Sequence, residues 1–275
     1  MNIRKESMKK AIEYYKENQS ITIADCARKF NVDRGTLGTH IKKLDLTTNR
    51  NKHKFNENFF EVIDTEEKAY WLGFILADGS IDDIRNRISI GLAHEDEQHL
   101  YKFKQSLQAE NPIYFYYAKN NVTQKSYPTN DFVISSKKMI DDLKNHNIFS
   151  NKTKNEIPIV LENNLMRHYI RGFYDGDGWI SSYNRRPQDR CKNLKWELGI
   201  GSGYDIVQFI ADHFYENLDV TYKEAKAFSS VYRVRYSNQS DINKILDYLY
   251  KDATIYLDRK YQKALEFNAV LGQKS

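Results

Sequence analysis

Cysteine is scarce here: two in 275 residues, Cys26 and Cys191, in unrelated surroundings. They make no CxxC pair, which removes cysteine-ligated metal sites and leaves a reduced, cytoplasmic protein as the expectation. Long apolar runs are missing too. None approaches the roughly 20 residues of a membrane span, so no membrane partner is expected. The opening MNIRKESMKK has no apolar stretch of the signal-peptide kind. There is no GxxxxGK[ST] and no HExxH, and GIGSG (199–203) lacks GxGxxG spacing, reading as a strand that runs into a helix.

What is present is charge, unevenly placed. Residues 1–50 carry 11 Lys/Arg against 6 Asp/Glu, which accounts for the whole formal net charge of +5. The remaining chain is balanced at 31 of each, but its signs segregate: YNRRPQDRCKNLK (183–195) has five basic residues and one acidic. Basic strands backed by acidic helices suit a polyanion such as nucleic acid.

The length carries a soft prior of about two domains. Residues 6–44 read as helices only. ESMKKAIEYYKEN presents Met8, Ile12 and Tyr15 on one face; TIADCARKFNVDRGTLGTHIKKL then gives helix, turn at Asn31 and helix. Ala24, Ala27, Val32, Leu37 and Ile41 are the expected inward set, and Asp33 the cap of the second helix. This resembles a helix-turn-helix unit, with Arg34, Thr36, Thr39 and His40 facing the DNA major groove. Residues 47–64 read as a polar linker with aromatic anchors. Asp64 and Glu67 suggest a capping box for the helix that follows. Strands are expected at 80–93, 112–118 and 130–135, with helices at 95–108 and 136–146. The order recurs as helix to 176, strands 179–184 and 193–202, helix 204–217, strands 221–228 and 230–237, and helix 239–250. The aromatics of IYFYYAK (113–119) read as sheet packing.

The recurrence is literal. YWLGFILADGSI (70–81) and YIRGFYDGDGWI (169–180) align at an offset of 99 with six of twelve positions identical. Such an offset implies a duplicated domain rather than a solenoid. Gly73 and Ala77 correspond to Gly172 and Gly176, each pair four residues apart and so on one helical face. Small residues there let two helix backbones approach closely. Asp177 repeats Asp78, whereas Asp175 answers to Leu76 and reads as incidental. Paired acids at the base of two packed helices should share a proton or hold a divalent cation. An aspartic protease is a poor match, because these acids end helices.

WLGFILADG (71–79) and IRGFYDGDG (170–178) resemble the LAGLIDADG motif of homing endonucleases, and the resemblance spans about 65–268. It implies an α+β fold: a duplicated αββαββα domain with pseudo-two-fold symmetry, preceded by the helix-turn-helix unit. The divisions would be 1–46, linker 47–64, first repeat 65–157 and second repeat 158–275. Each half would lay a four-stranded antiparallel sheet on double-stranded DNA. The resemblance further implies Mg²⁺ (or Mn²⁺) at Asp78 and Asp177, aided by the carbonyls of Ala77 and Gly176. Lys152 and Lys260 would stabilise the pentacovalent charge. Candidate DNA contacts are Arg85, Asn86, Arg87, Lys119, Lys125, Arg185, Arg186, Arg190, Lys192, Lys195, Lys223, Lys226, Arg233 and Arg235. Arg171 departs from the motif, where an apolar or small residue is usual, and either points outward or pairs with an acid. The implied function is site-specific, metal-dependent double-strand cleavage by a monomer, in a prokaryotic or phage-encoded setting. The alternatives are a non-cleaving DNA-binding regulator and an intron splicing maturase.

Overall fold

The computed structural model describes residues 2–18, 21, 23–44, 53–120, 123–150, 156–184 and 194–272. The chain divides into two compact units, Met1–Lys54 and Phe55–Ser275.

The first unit holds α1 (Asn2–Glu17), α2 (Ile23–Phe30) and α3 (Arg34–Lys43). Asn31 turns the chain between α2 and α3 at φ 49°, a left-handed conformation that Asn tolerates. Asp33 then caps α3, its carboxylate accepting from Thr36 N at 2.8 Å. The core is Ala11, Tyr15, Cys26, Ala27, Leu37 and Ile41, with Met8, Ile12 and Val32 packed against it. Ala24 lies outside this cluster, contrary to expectation; Cys26 fills the place, its thiol 3.4 Å from the carbonyl of Ala11.

The second unit begins before the expected end of the linker. Phe59 and Phe60 are buried in its core, so the tail of that segment is structural. Its elements run α4 (Glu66–Asp78), β1 (Gly79–Asp82), β2 (Arg87–Ala93), α5 (Glu97–Ser106), β3 (Ile113–Lys119), β4 (Ser126–Ser135) and α6 (Lys137–Asn145). The second half repeats them: α7 (Asn163–Asp177), β5 (Gly178–Asn184), β6 (Leu194–Ser202), α8 (Tyr204–Leu218), β7 (Lys226–Phe228), β8 (Val231–Tyr236) and α9 (Gln239–Tyr250). A last helix, α10 (Asp258–Gly272), follows. The two four-stranded antiparallel sheets have the same plan, β1-β2-β4-β3 and β5-β6-β8-β7. The register matches as well, Gly79 opposite Ile90 in one and Gly178 opposite Ile200 in the other.

Three local expectations are corrected. Thr65, not Asp64, caps α4, accepting from Lys68 N at 3.3 Å, while Asp64 pairs with the Lys68 ammonium and Glu67 accepts from Ser106. Residues 221–225 are not strand; β7 is only Lys226–Phe228. The IYFYYAK aromatics do not pack in the core, since β3 is an edge strand and Tyr114 to Tyr117 remain 42–66% exposed.

The core of this unit is built around α4 and α7. Residues 69–76 of α4 and 169–175 of α7 are buried without a break. A helix buried on all sides belongs in an interior; each is enclosed by its twin and by the sheets, and α7 carries the buried charges Arg171 and Asp175 inside.

Candidate active site

The two repeated helices meet backbone to backbone. A Cβ on Gly73 would stand 2.0 Å from the carbonyl oxygen of Tyr169, and one on Gly172 would stand 1.9 Å from that of Tyr70. These contacts are mirror images under the offset of 99, so the pseudo-dyad passes between the glycines. One turn on, a Cβ on Gly176 would lie 2.4 Å from Cβ of Ala77 and 3.4 Å from Oδ2 of Asp78. The helix ends are thus adjacent, and Asp78 faces the backbone that carries Asp177.

Lys260, on the first turn of α10, completes this end of the pair. It is 5% exposed and donates to the carbonyls of Tyr174 (2.7 Å) and Gly176 (3.1 Å). Burial lowers its ammonium pKa to about 8, opposed by the charges of Asp175, Asp78 and Asp177. The cation therefore lies within electrostatic reach of both repeated acids. The Gly176 carbonyl, a candidate metal ligand, already accepts from this ammonium.

The two acids have different surroundings. Asp78 is exposed, whereas Asp177 is half-buried and its Oδ2 accepts from the Ser202 hydroxyl at 2.8 Å. Behind Ser202 stands Glu156, buried to 3% exposure. Neither residue stood out in the sequence; only the sheet register brings the end of β6 beneath α7.

Asp175 is not incidental. It is fully buried and accepts from Tyr70 (2.8 Å), Tyr250 (2.6 Å) and the amide of Leu257 (2.7 Å). Burial raises its pKa, against the Lys260 ammonium and those three donors. It ties α7 to α4, to α9 and to the segment leading into Lys260. Arg171 takes the second of its two expected options. It is wholly buried, bonded to Glu66 (2.6 Å) and to the carbonyls of Ile255 (2.9 Å) and Leu249 (3.0 Å).

No family sequence model and no curated protein matches the chain. Solved structures do. The LAGLIDADG meganuclease I-CpaMI bound to uncleaved DNA superposes with a TM-score of 0.53 at 16% identity, covering 77% of this chain and 93% of its own. Meganuclease I-SmaMI bound to uncleavable DNA with a TTCT central four gives 0.51 at 14% identity, covering 75% and 91%. The same enzyme bound to an uncleaved DNA target in the presence of calcium ions gives 0.51 at 14%, covering 77% and 93%.

This is the LAGLIDADG homing-endonuclease fold. The two LAGLIDADG helices are α4 and α7, and Asp78 and Asp177 are their final residues.

The open face of each LAGLIDADG sheet is the set of positions alternating with its buried ones. On the second sheet this face carries Lys195, Lys226, Arg233 and Arg235, with Glu197 beside them. Arg233 lies over the rings of Phe228 (3.9 Å) and Trp179 (5.3 Å), and Arg235 stands 3.6 Å from Glu197. Lys226, Phe228, Arg233, Arg235 and Glu197, with Tyr183 and Lys223, line a groove of about 500 Å³. The first sheet is less basic. Arg85 and Arg87 both face Asp82, at 3.1 and 3.8 Å, and Asn86 turns the hairpin at φ 49°. Lys119 falls on the opposite face by register, on the side of Ile113 and Phe132, and Lys125 is exposed in the β3–β4 connection. In the separate first unit Arg34, Thr36, Thr39 and His40 are all exposed on α3. The Thr36 hydroxyl donates to Asp33 (2.7 Å) and that of Thr39 to the Gly35 carbonyl (3.0 Å). Lys152, Arg185, Arg186, Arg190 and Lys192 lie outside the described residues.

Among the described residues no group of three or more His, Cys, Asp or Glu side chains forms a cage for a metal. Two adjacent carboxylates fit a hard cation that takes its other oxygens from water and phosphate, as Mg²⁺ does.

Proposed function

We propose that this chain is a monomeric, site-specific DNA endonuclease that hydrolyses one phosphodiester in each strand of a long, asymmetric target. The observation that carries the reading is the pair of motif helices ending together in Asp78 and Asp177, beside the buried Lys260 ammonium. Asp78 and Asp177 would hold divalent cations, Mg²⁺ or Mn²⁺, which when bound activate water and neutralise charge at the leaving oxygen. The two carboxylates fix where that charge sits relative to the scissile strands. Lys260, anchored by two carbonyls, presents a positive charge that needs no reorganisation as the phosphorane charge develops. The open sheet faces supply phosphate and base contacts, densest on the second half, and α3 of the first unit adds a major-groove contact.

The test uses the full chain on a randomised duplex library and on DNA from its native genomic neighbourhood, with and without Mg²⁺. Wild type should cut a defined sequence only with the metal. Asp78→Asn and Asp177→Asn should each bind that sequence and cut it at least about 100-fold more slowly, the scale of a lost electrostatic stabiliser. Undiminished cutting by both variants would overturn the assignment of the acids. Specific binding by a wild type that never cuts would favour a regulator.

A further inference from the structure

The two halves of the catalytic end are not equivalent, and the difference lies in what supports each acid. The Ser202 hydroxyl stands 2.8 Å from Oδ2 of Asp177 and 3.1 Å from Oε1 of Glu156. Its single proton lies between two carboxylates. The other Glu156 oxygen, Oε2, accepts from the amide of Gly203 at 3.1 Å, at the entrance to α8. Both side chains are buried, Ser202 to 6% and Glu156 to 3% exposure. A hydroxyl gives its proton to one carboxylate at a time, so Asp177 and Glu156 share a single donor.

The first half has no hydroxyl at the matching strand position. Gly79 pairs with Ile90 as Gly178 pairs with Ile200, so Leu92 stands where Ser202 stands in the second half. A leucine side chain has no proton to give. Glu57, at the offset of 99 from Glu156, is exposed and accepts instead from Ser136 at 3.0 Å. The duplicated framework has kept the strand positions, with serine at this one in the second copy and leucine in the first.

We propose that Ser202 and Glu156 are positioning residues for Asp177, giving one of the two strand-cutting centres an acid that is ordered before DNA arrives. This rests on the endonuclease reading, and it adds that the two strands are cut by centres with different support. Removing the support should affect one strand.

The experiment is single-turnover cleavage, with Mg²⁺, of a duplex recovered from the selection above and labelled separately on each strand. Ser202→Ala should slow one strand about 10-fold, the scale of one hydrogen bond to a charged group, so that nicked duplex accumulates while the other strand's rate and DNA affinity hold. Ser202→Thr, which keeps the hydroxyl, should restore the wild-type ratio. Glu156→Gln, which changes the competition for the Ser202 proton, should shift the rate of the same strand and leave the other unchanged, which keeps the test available if Ser202→Ala folds poorly. Equal slowing of both strands, or none in either variant, would overturn the proposal while leaving the nuclease reading intact. A wild type that cuts neither strand would overturn the nuclease reading itself.

Discussion

Arg171 is the residue whose chemistry departs furthest from its place in the motif. A guanidinium with no exposed surface is tolerable only because Glu66 and two backbone carbonyls meet its donors. Breaking a buried pair from one side typically costs about 3–5 kcal/mol, because the partner charge stays behind. Arg171→Leu, the residue at that position in the first copy, should lower stability by this order in a denaturant titration. Adding Glu66→Gln should recover part of the loss. His99 makes a second residue-scale prediction. Its ring packs against Trp71 and Phe74 and meets the Tyr70 hydroxyl at 3.0 Å. Burial lowers its pKa from 6.5 to about 3. Unfolded chains take up this proton at higher pH than folded ones, so the stability tied to neutral His99 is full above about 6.5. It is lost as the pH falls toward about 3, at roughly 1.4 kcal/mol for each unit. His99→Gln should flatten acid unfolding over that window; an unchanged profile would exclude His99 as its source. The role of His99 is not legible in the sequence, and that of Arg171 only as one of two options. An arginine in a motif helix leaves open an outward or a paired placement, and Asp175 looked incidental because its three donors come from distant elements.

At the scale of the element, α4 and α7 show what sequence can deliver. Glycine or alanine four residues apart, twice, pointed to a close helix contact, and the separations at Gly73 and Gly172 show how close it is. A methyl placed 1.9 Å from a carbonyl oxygen has no flexible neighbour to displace. Gly172→Ala should therefore destabilise by about 3 kcal/mol or more, as severe overpacking does, visible as a lower unfolding midpoint. Gly38→Ala in α3 is the contrasting case. Its Cβ would come no nearer than 4.0 Å to Ile23, and the helix should gain up to about 1 kcal/mol. Element ends were read less well. Thr65 rather than Asp64 caps α4, a shift of one residue that the sequence does not decide because both side chains cap well. The exposure of edge strand β3 is not written in its aromatics, because aromatic content reports β-propensity and not which neighbour covers the strand.

For the whole molecule, duplication and charge distribution were both legible. The offset of 99 fixes the order of elements, and the two sheets share one strand plan. What could not be read was how far the copies have diverged around their acids, since Ser202 and Glu156 reach Asp177 only through folding. The unit boundary after Lys54 allows a direct measurement. Residues 55–275 should fold alone and bind target DNA, but with a shallower dependence of log affinity on log salt. The basic first unit then no longer releases counterions from phosphate. An unchanged slope would show that the first unit does not touch the DNA.

The Arg171–Glu66 bond also bears on kinship between the halves. It runs from α7 to α4, and the residue of α7 that corresponds to Glu66 is Leu165. Two copies of the second half, set about the same axis, would bury a pair of arginines against leucines. Two copies of the first half would leave Glu66 facing Leu72. Each half has therefore become a stranger to itself. If the chain were severed between them, only the unlike fragments would have reason to find one another.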